Sequence, residues 1–278
     1  MTKIAGVVVL YHPDEKVIQN INTYLKDIDI LYAVDNSEKK NDKIISEIKT
    51  MDKVVYVDNK GNKGIAYAQN RGAHRAIKAG YEWLLTMDQD SSASDNMIQL
   101  LVEYIENHDT SKVGIVTAYQ KLDYEKNNYF LREYQQVFIV MSSGNILNLK
   151  AYQAVGGILN KLFIDIVDHE YCLRLNQHGY KIIMVNKSIL YHSLGETQII
   201  DNMYFDSHTP TRLYYFVRND LFVRQKYKQH FPNWIKERKV ITSKRYMKII
   251  IYDKNKLKNV YYILRAYIDF KRNRFGKL

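Results

Sequence analysis

Residues 82–94 read EWLLTMDQDSSAS, a short apolar run that ends in two aspartates, Asp88 and Asp90. The run at residues 83–87 predicts a buried strand, so both carboxylates follow its carboxyl end. Ligands bind at that edge in open α/β sheets. Two hard oxygen ligands one residue apart also suit Mg²⁺ or Mn²⁺ beside a diphosphate. The alternative for this triplet alone is a solvated turn after a strand.

Strand and helix patterns alternate around this stretch. Strands are predicted at residues 3–11, 30–35, 53–57, 83–87 and 113–118, and helices at 14–26, 42–49, 65–79 and 95–107. This alternation predicts a doubly wound, mostly parallel sheet. Asp35, Asp58 and Asp88 end three of the first four strands, which predicts a polar ligand crevice at the carboxyl edge. The sequence has no G-x-G-x-x-G after the first strand and no P-loop, which argues against those two nucleotide-binding folds.

The second half of the chain has a less regular pattern. Residues 119–136 predict a loop or hairpin, 136–141 a strand, 150–155 a short helix and 168–178 a helix that Gly179 ends. Two further apolar runs, at residues 182–185 and 188–191, precede His192.

Length and composition limit the class of protein. The 278 residues fit one large α/β domain, with or without an appendage, and 46% hydrophobic residues allow a sizeable core. The single cysteine, Cys172, excludes an internal disulfide and favours a reducing compartment. The sequence contains no apolar run of about 18 residues, and its first strand starts too early for a signal peptide. We therefore expect a cytoplasmic protein.

Positive charge is concentrated at the end of the chain. Residues 221–278 carry 17 Lys and Arg against three acids, a net charge of +14. Residues 1–220 carry 24 basic and 27 acidic residues, a net charge of −3. We therefore predict a catalytic domain at 1–220 and a basic, aromatic-rich helical segment at 221–278, with an acidic surface as the partner of that segment.

Several motifs follow one another along the chain in a characteristic order. They are VVVLYHP at 7–13, AVDNS at 33–37, GNKGIAYAQNRG at 61–72, GYEWLLTMDQDS at 80–91, SSGN at 142–145, GG at 156–157, FIDIVDHEYCLRLNQHGY at 163–180, HSLG at 192–195 and HTPTRLYYFVRN at 208–219. In this order they resemble the family-2 glycosyltransferases with the GT-A fold. The DQD, FIDIVD and H-x-P-x-R-x-Y-Y-x-x-R-N segments resemble the rhamnosyltransferase branch in particular.

The resemblance implies an α/β GT-A fold, a doubly wound mixed sheet with the basic helical segment as a C-terminal extension. It implies inverting transfer of L-rhamnose from dTDP-rhamnose to a glycan, commonly a lipid-linked one, in bacterial surface polysaccharide synthesis. One alternative is a UDP-sugar donor, galactofuranose or another hexose, on the same fold. Another is a GT-A-like binding protein without turnover.

The resemblance also assigns roles to the acidic residues and to one histidine. Asp90 and His192 would bind Mg²⁺ or Mn²⁺, and Asp88 would contact the ribose or a metal-bound water. Such a cation neutralises the diphosphate leaving group. Asp168 would be the general base that takes the acceptor proton, with Glu170 as the alternative. The structural alternatives for these side chains are turns, helix caps and core positions.

The remaining assignments concern the nucleotide sugar. Asp35 and Asn36 would contact the base, and the Tyr11 ring would cover it. Asn62 and Gly64, at the start of the third helix, would bind phosphate or base oxygens, because free N–H groups and the positive dipole end lie there. Ser143 and Gly144 are assigned to the sugar pocket. Arg212 and Arg218 are assigned to the diphosphate.

The basic segment has an apolar stripe within its last predicted helix. The stripe consists of Leu257, Val260, Tyr261, Leu264, Tyr267 and Ile268. Lysines interleaved with aromatic residues suit the headgroup layer of an anionic membrane. We therefore predict a peripheral position on the inner face of the plasma membrane. A helical hairpin packed on the catalytic domain is the alternative, and no nucleic-acid motif accompanies the charge.

Overall fold

The computed structural model describes residues 2–122, 132–192, 197–200, 203–206, 209–253 and 255–278. At positions 122, 192, 197–200, 203–206, 248 and 250–252 it describes the backbone alone. Part of the predicted loop at 119–136, residues 123–131, lies outside these ranges.

The first third of the chain forms a parallel sheet with one helix in each crossover. Its elements are β1 (Ile4–Leu10), α1 (Lys16–Leu25), β2 (Ile30–Asp35), α2 (Asp42–Thr50), β3 (Val54–Asp58), α3 (Ile65–Lys78) and β4 (Trp83–Asp88). The strands pair in the order β3-β2-β1-β4, all parallel. Every residue of β1 is buried, because helices cover both faces of a parallel sheet. The predicted strands and helices of this part are confirmed, and their ends differ from the observed ends by about two residues or fewer.

The middle of the chain makes the sheet mixed. Its elements are β5 (Ser91–Ala93), α4 (Met97–Asn107), β6 (Val113–Leu122), β7 (Tyr134–Val137), β8 (Asn145–Asn148), α5 (Leu149–Val155), α6 (Val167–Gln177) and β9 (Lys181–His192). The order is β3-β2-β1-β4-β8-β6-β9-β5, with β7 also on β9. β8 runs antiparallel to both of its neighbours. The two apolar runs predicted before His192 form one strand, and residues 119–122 extend β6 rather than a loop.

Helices on the two faces of the sheet bury two separate clusters of apolar side chains. The small-residue face of α3 lies against β1, and a Cβ on Gly72 would come within 2.4 Å of the Val7 side chain. This close packing fixes the position of α3, and its N-terminus lies at the carboxyl edge of the sheet.

Three helices and a hairpin complete the described chain. They are β10 (Thr197–Ile200), β11 (Met203–Asp206), α7 (Pro210–Tyr227), α8 (Pro232–Tyr252) and α9 (Lys256–Lys271). The predicted domain boundary after residue 220 falls inside α7, so the basic segment does not begin as a separate unit. The Gly276 N–H donates to the Lys161 carbonyl at 2.8 Å, which ties residues after α9 to the segment before α6. Among the described helices, none is long and apolar enough to cross a bilayer.

Candidate active site

The acidic turn between β4 and β5 is fixed from two sides. The Gln89 side chain accepts the Tyr11 N–H at 2.8 Å and donates to the Tyr11 carbonyl at 3.0 Å. The Ser143 hydroxyl accepts the Asp88 N–H at 3.0 Å and donates to the Ser91 hydroxyl at 2.9 Å. The turn is therefore held rigidly at the end of β4, and the central glutamine of DQD has a structural role.

Charged groups from three elements converge at this turn. Burial first, and then the negative charges of Asp90 and Asp168, raise the pKa of Asp88 to about 7. The positive charge of Arg212 acts in the opposite direction. Asp168 lies in the first turn of α6 and Arg212 in the first turn of α7. The structure thus brings together four of the residues that the sequence assigned to the site.

Asp168 is held by its neighbour on α6. Its Oδ1 atom accepts the backbone N–H of His169 at 2.8 Å and lies 3.0 Å from the ring Nδ1. Burial acts to raise the pKa of Asp168, but the charge and hydrogen bonds of His169 outweigh burial and lower it. Arg238 from α8 lies 3.3 Å from His169 Nε2. The carboxylate is therefore ionised and oriented, which a general base requires.

Glu170, the alternative base, is fully buried and bonded to the protein. Its carboxylate accepts from Arg174 at 2.8 Å, Lys226 at 2.7 Å and the Tyr227 hydroxyl at 2.8 Å. These contacts join α6 to α7 and exclude Glu170 from proton transfer in this conformation.

The loop that leads into α6 is strained. Phe163, Asp165 and Ile166 have φ values of +66°, +62° and +61°. Non-glycine residues rarely adopt this region, and a β-branched residue does so only where surrounding contacts enforce it. The strain therefore lies directly before the candidate base.

Two neighbouring polar residues of α7 hold this loop. Asn219 Nδ2 donates to the carbonyls of Leu162, Ile164 and Asp165 at 2.8, 2.8 and 2.9 Å. Arg218 is 1% exposed, and its guanidinium donates to protein carbonyls, including that of Leu162. The assignment of Arg218 to the diphosphate is therefore wrong in this structure, because the side chain faces the interior of the protein.

Arg212, by contrast, reaches the site. Its side chain is 50% exposed, and its Nε atom lies 3.2 Å from Asp165 Oδ1. One guanidinium edge is thus positioned by Asp165 while half of the side chain stays open to a ligand. A planar guanidinium in this position suits a diphosphate.

Asp35 and Asn36, to which the base contacts were assigned, have side chains that are buried and bonded within the protein in this conformation. Asp35 accepts from the Tyr56 hydroxyl at 2.7 Å and from Lys40 at 3.0 Å. Burial acts to raise the pKa of Asp35, but hydrogen bonds from Ser37, Tyr56 and Lys40 outweigh it and lower the pKa. Tyr11 is 44% exposed, so its ring is not core and remains open to a base.

The start of α3 is used by the protein itself. Asn62 Oδ1 accepts the Gly64 N–H at 3.0 Å, and the Phe163 carbonyl accepts the Ile65 N–H at 2.8 Å. The phosphate assignment of Asn62 and Gly64 is therefore corrected. Gly64 has a φ of +89°, and a Cβ there would lie 2.5 Å from the Phe163 carbonyl oxygen. Glycine lets α3 approach the strained loop.

Ser143 and Gly144 are likewise buried behind the acidic turn. The Gly144 N–H donates to the Thr86 carbonyl at 2.9 Å, with a φ of +76°. They support the turn rather than line an open sugar pocket. Behind them, a small cavity of about 20 Å³ beside Asp168 has room for about one water. Gln69 Nε2 and Asn145 Oδ1 are buried there without hydrogen-bond partners among the described residues. Burial raises the pKa of Cys172, at the same cavity, to about 12, which agrees with its core assignment.

His192 reaches the acidic turn through strand pairing. The β5–β9 register places its backbone opposite Ser91, one residue after Asp90. Among the side chains that the structure describes, which exclude that of His192, no three His, Cys, Asp or Glu groups form a metal site. The carboxylates suit a divalent cation, because Asp88 faces further negative charges that a cation would neutralise.

Comparisons with known proteins agree with this fold. The sequence model of glycosyl transferase family 2 matches residues 15–155, about half of the chain. The chain therefore belongs to glycosyl transferase family 2 and is a glycosyltransferase. It is similar to the dTDP-rhamnosyl transferase RfbF of Shigella flexneri, with 28% identity over 96% of this chain and 95% of that protein.

Solved structures share the fold at low identity. GalNAc-T7 with UDP, GalNAc and Mn²⁺ has a TM-score of 0.65 at 13% identity, over 98% of this chain and 58% of that one. Staphylococcus aureus TarS has a TM-score of 0.61 at 13% identity, over 98% of this chain, which spans 49% of TarS. A shorter TarS in complex with UDP-GlcNAc gives 0.61 at 13% identity, over 97% and 80%. These similarities confirm the predicted GT-A fold.

Proposed function

We propose that this glycosyltransferase moves L-rhamnose from dTDP-rhamnose to a glycan hydroxyl in the synthesis of a bacterial surface polysaccharide. The main observation behind the proposed reaction is the position of Asp168, which His169 holds beside the acidic turn. The choice of donor rests on the full-length similarity to the dTDP-rhamnosyl transferase.

The chemistry is a single in-line displacement at the anomeric carbon. The acceptor oxygen forms the new bond to that carbon as the bond to the diphosphate oxygen breaks, which inverts the configuration. Asp168 takes the acceptor proton, using the carboxylate oxygen that His169 does not occupy. Arg212 faces the diphosphate, Asp88 orients the ribose, and Tyr11 packs against the base.

Asp90 and His192 would hold a divalent cation in this scheme, at the paired ends of β4, β5 and β9. Mg²⁺ or Mn²⁺ would neutralise charge on the departing diphosphate.

A thermal-shift comparison tests the donor. We expect dTDP and dTDP-rhamnose to raise the melting temperature with Mn²⁺ or Mg²⁺, since a ligand at about 100 times its Kd adds about 2.7 kcal/mol to the unfolding free energy. Chelation of the metal should remove the shift. Stabilisation by UDP or UDP-sugars instead would overturn the donor, and no shift with any nucleotide would favour a protein without turnover.

We further propose that α9 docks on an anionic membrane, where a lipid-linked acceptor would lie. The predicted apolar stripe points away from the protein: Leu257 is 88% and Leu264 59% exposed. The opposite side of α9 buries Ala266 and Asn259. One side of α9 therefore packs on the protein, as the alternative of a packed hairpin expects. The apolar stripe on its other side stays uncovered. Such a face, bordered by lysines, suits the interfacial region of a bilayer.

Vesicle flotation tests this docking. With vesicles of phosphatidylcholine and phosphatidylglycerol, Leu257→Glu/Leu264→Glu should reduce binding at least about tenfold, because each leucine contributes about 1.5–3 kcal/mol on burial. Val55→Glu, at another exposed apolar residue, should float like the wild type. Equal flotation of all three proteins would exclude the stripe as the membrane contact.

A further inference from the structure

A groove far larger than the cavity beside Asp168 lies between α7, α8 and α9. Its volume is about 880 Å³. Small-molecule sites commonly measure about 300–1,000 Å³, so the groove has the capacity of a ligand site. None of the roles assigned above to the nucleotide sugar uses it.

The groove is lined by cations: Arg224, Lys226, Lys228, Lys239 and Lys271. The described residues that line it include no Asp or Glu. Lys228, Lys239 and Lys271 are exposed and make no ion pair within the described part of the chain. A groove lined only by positive charges raises the local concentration of anions. The effect is strongest where apolar walls exclude water.

The other two cations are held in place by buried acids. Arg224 Nε lies 2.9 Å from Asp220, and Lys226 Nζ lies 2.7 Å from Glu170. Each of these acids also contacts a second cation, Arg238 for Asp220 and Arg174 for Glu170. The surroundings therefore keep an excess of positive charge.

The rest of the lining is largely apolar and aromatic. Phe222, Ile235, Phe270 and Phe275 contribute to it, together with Tyr267. Tyr267 is 49% exposed and also belongs to the apolar stripe of α9, so the groove opens beside the proposed membrane face. An inorganic anion would make no favourable contact with these apolar walls. An anionic amphiphile matches both the positive charge and the apolar surface of the groove.

We propose that this groove binds the phosphate or diphosphate headgroup of a lipid, with the first part of the lipid chain against its aromatic walls. The inference deepens the proposed membrane docking, because it names a defined headgroup site beside the docking face. It does not depend on the identity of the sugar donor.

Calorimetry with farnesyl diphosphate, below its micelle concentration and without vesicles, tests the proposal. We expect saturable binding, with inorganic diphosphate and farnesol each at least about tenfold weaker. Lys228→Ala/Lys239→Ala/Lys271→Ala should weaken farnesyl diphosphate binding at least about tenfold. The control Lys3→Ala/Lys16→Ala/Lys78→Ala removes equal charge from exposed positions elsewhere and should bind like the wild type.

Several outcomes would overturn the proposal. They are no binding, equal binding of inorganic diphosphate, an equal loss in the control variant, and displacement of the probe by excess dTDP, which would place it in the donor site. Since the assay contains neither vesicles nor sugar donor, its failure is distinguishable from failure of flotation or of the donor thermal shift.

Discussion

Asp168→Asn is expected to fold and to bind the donor, yet to transfer glycosyl groups roughly 10²–10⁴-fold more slowly. The amide cannot accept the acceptor proton, and a positioned general base contributes roughly 10²–10⁴ to the rate. The substitution keeps the size and shape of the side chain. Nucleotide release, measured by chromatography, reports turnover, and calorimetry reports donor affinity.

Asp52→Asn is the control, since Asp52 is an exposed aspartate outside the site. It should retain full turnover. Full turnover by Asp168→Asn would remove Asp168 from the role of base.

The pH profile gives a second measure of the same role. His169 holds the pKa of Asp168 below its ordinary value against burial. The wild-type enzyme should therefore show no loss of activity from this group until the pH falls below about 4. In His169→Ala, the backbone N–H still donates to Asp168, but the charge and hydrogen bond of the imidazole are lost. Burial is then offset less, so the acid limb should move to higher pH. An unchanged limb would contradict the positioning role of His169.

Asn219→Leu is expected to lower the free energy of unfolding by about 3 kcal/mol or more and to abolish turnover. The leucine leaves the Ile164 and Asp165 carbonyls of the strained loop without this donor, while Arg218 still donates to the Leu162 carbonyl. Each unpaired buried group costs about 1–3 kcal/mol. The loop carries the positive-φ residues directly before Asp168, so its relaxation would displace the base. Urea unfolding gives the free energy.

Asn259→Leu is a matched control on α9. Asn259 is 1% exposed, and neither polar atom of its side chain has a hydrogen-bond partner within the described part of the chain. Replacement by leucine should therefore cost less than about 1 kcal/mol, because no hydrogen bond is lost. If both leucine variants lost equal stability, the Asn219 bonds would not be what holds the loop.

The strands and helices were predictable from the sequence where a long segment is buried and therefore has a clear hydrophobic pattern. β1 and β4 are continuous apolar strands, and the alternating helices leave a clear periodic pattern. β5 and β8 were missed because strands of three and four residues, SSA and NILN, carry no periodic signal. Their antiparallel pairing is decided by tertiary packing.

The motifs led us to expect Asp168 and Arg212 at one site, and the structure places both beside the acidic turn with side chains that are not fully covered. Arg218, Asp35 and Asn36 show the limit, because motif order does not reveal which polar side chains point inward. Arg238, 69 residues beyond His169, has no local signal of its contact. It reaches the site only through the packing of α8.

The most direct measurement of the central claim is nucleotide release from a panel of sugar donors, with bacterial membranes as the acceptor source. We expect the wild type to release dTDP from dTDP-rhamnose and to label the membrane glycan, UDP-sugars to stay intact, and Asp168→Asn to do neither. Consumption of a UDP-sugar with dTDP-rhamnose untouched, or transfer by Asp168→Asn at the wild-type rate, would contradict it.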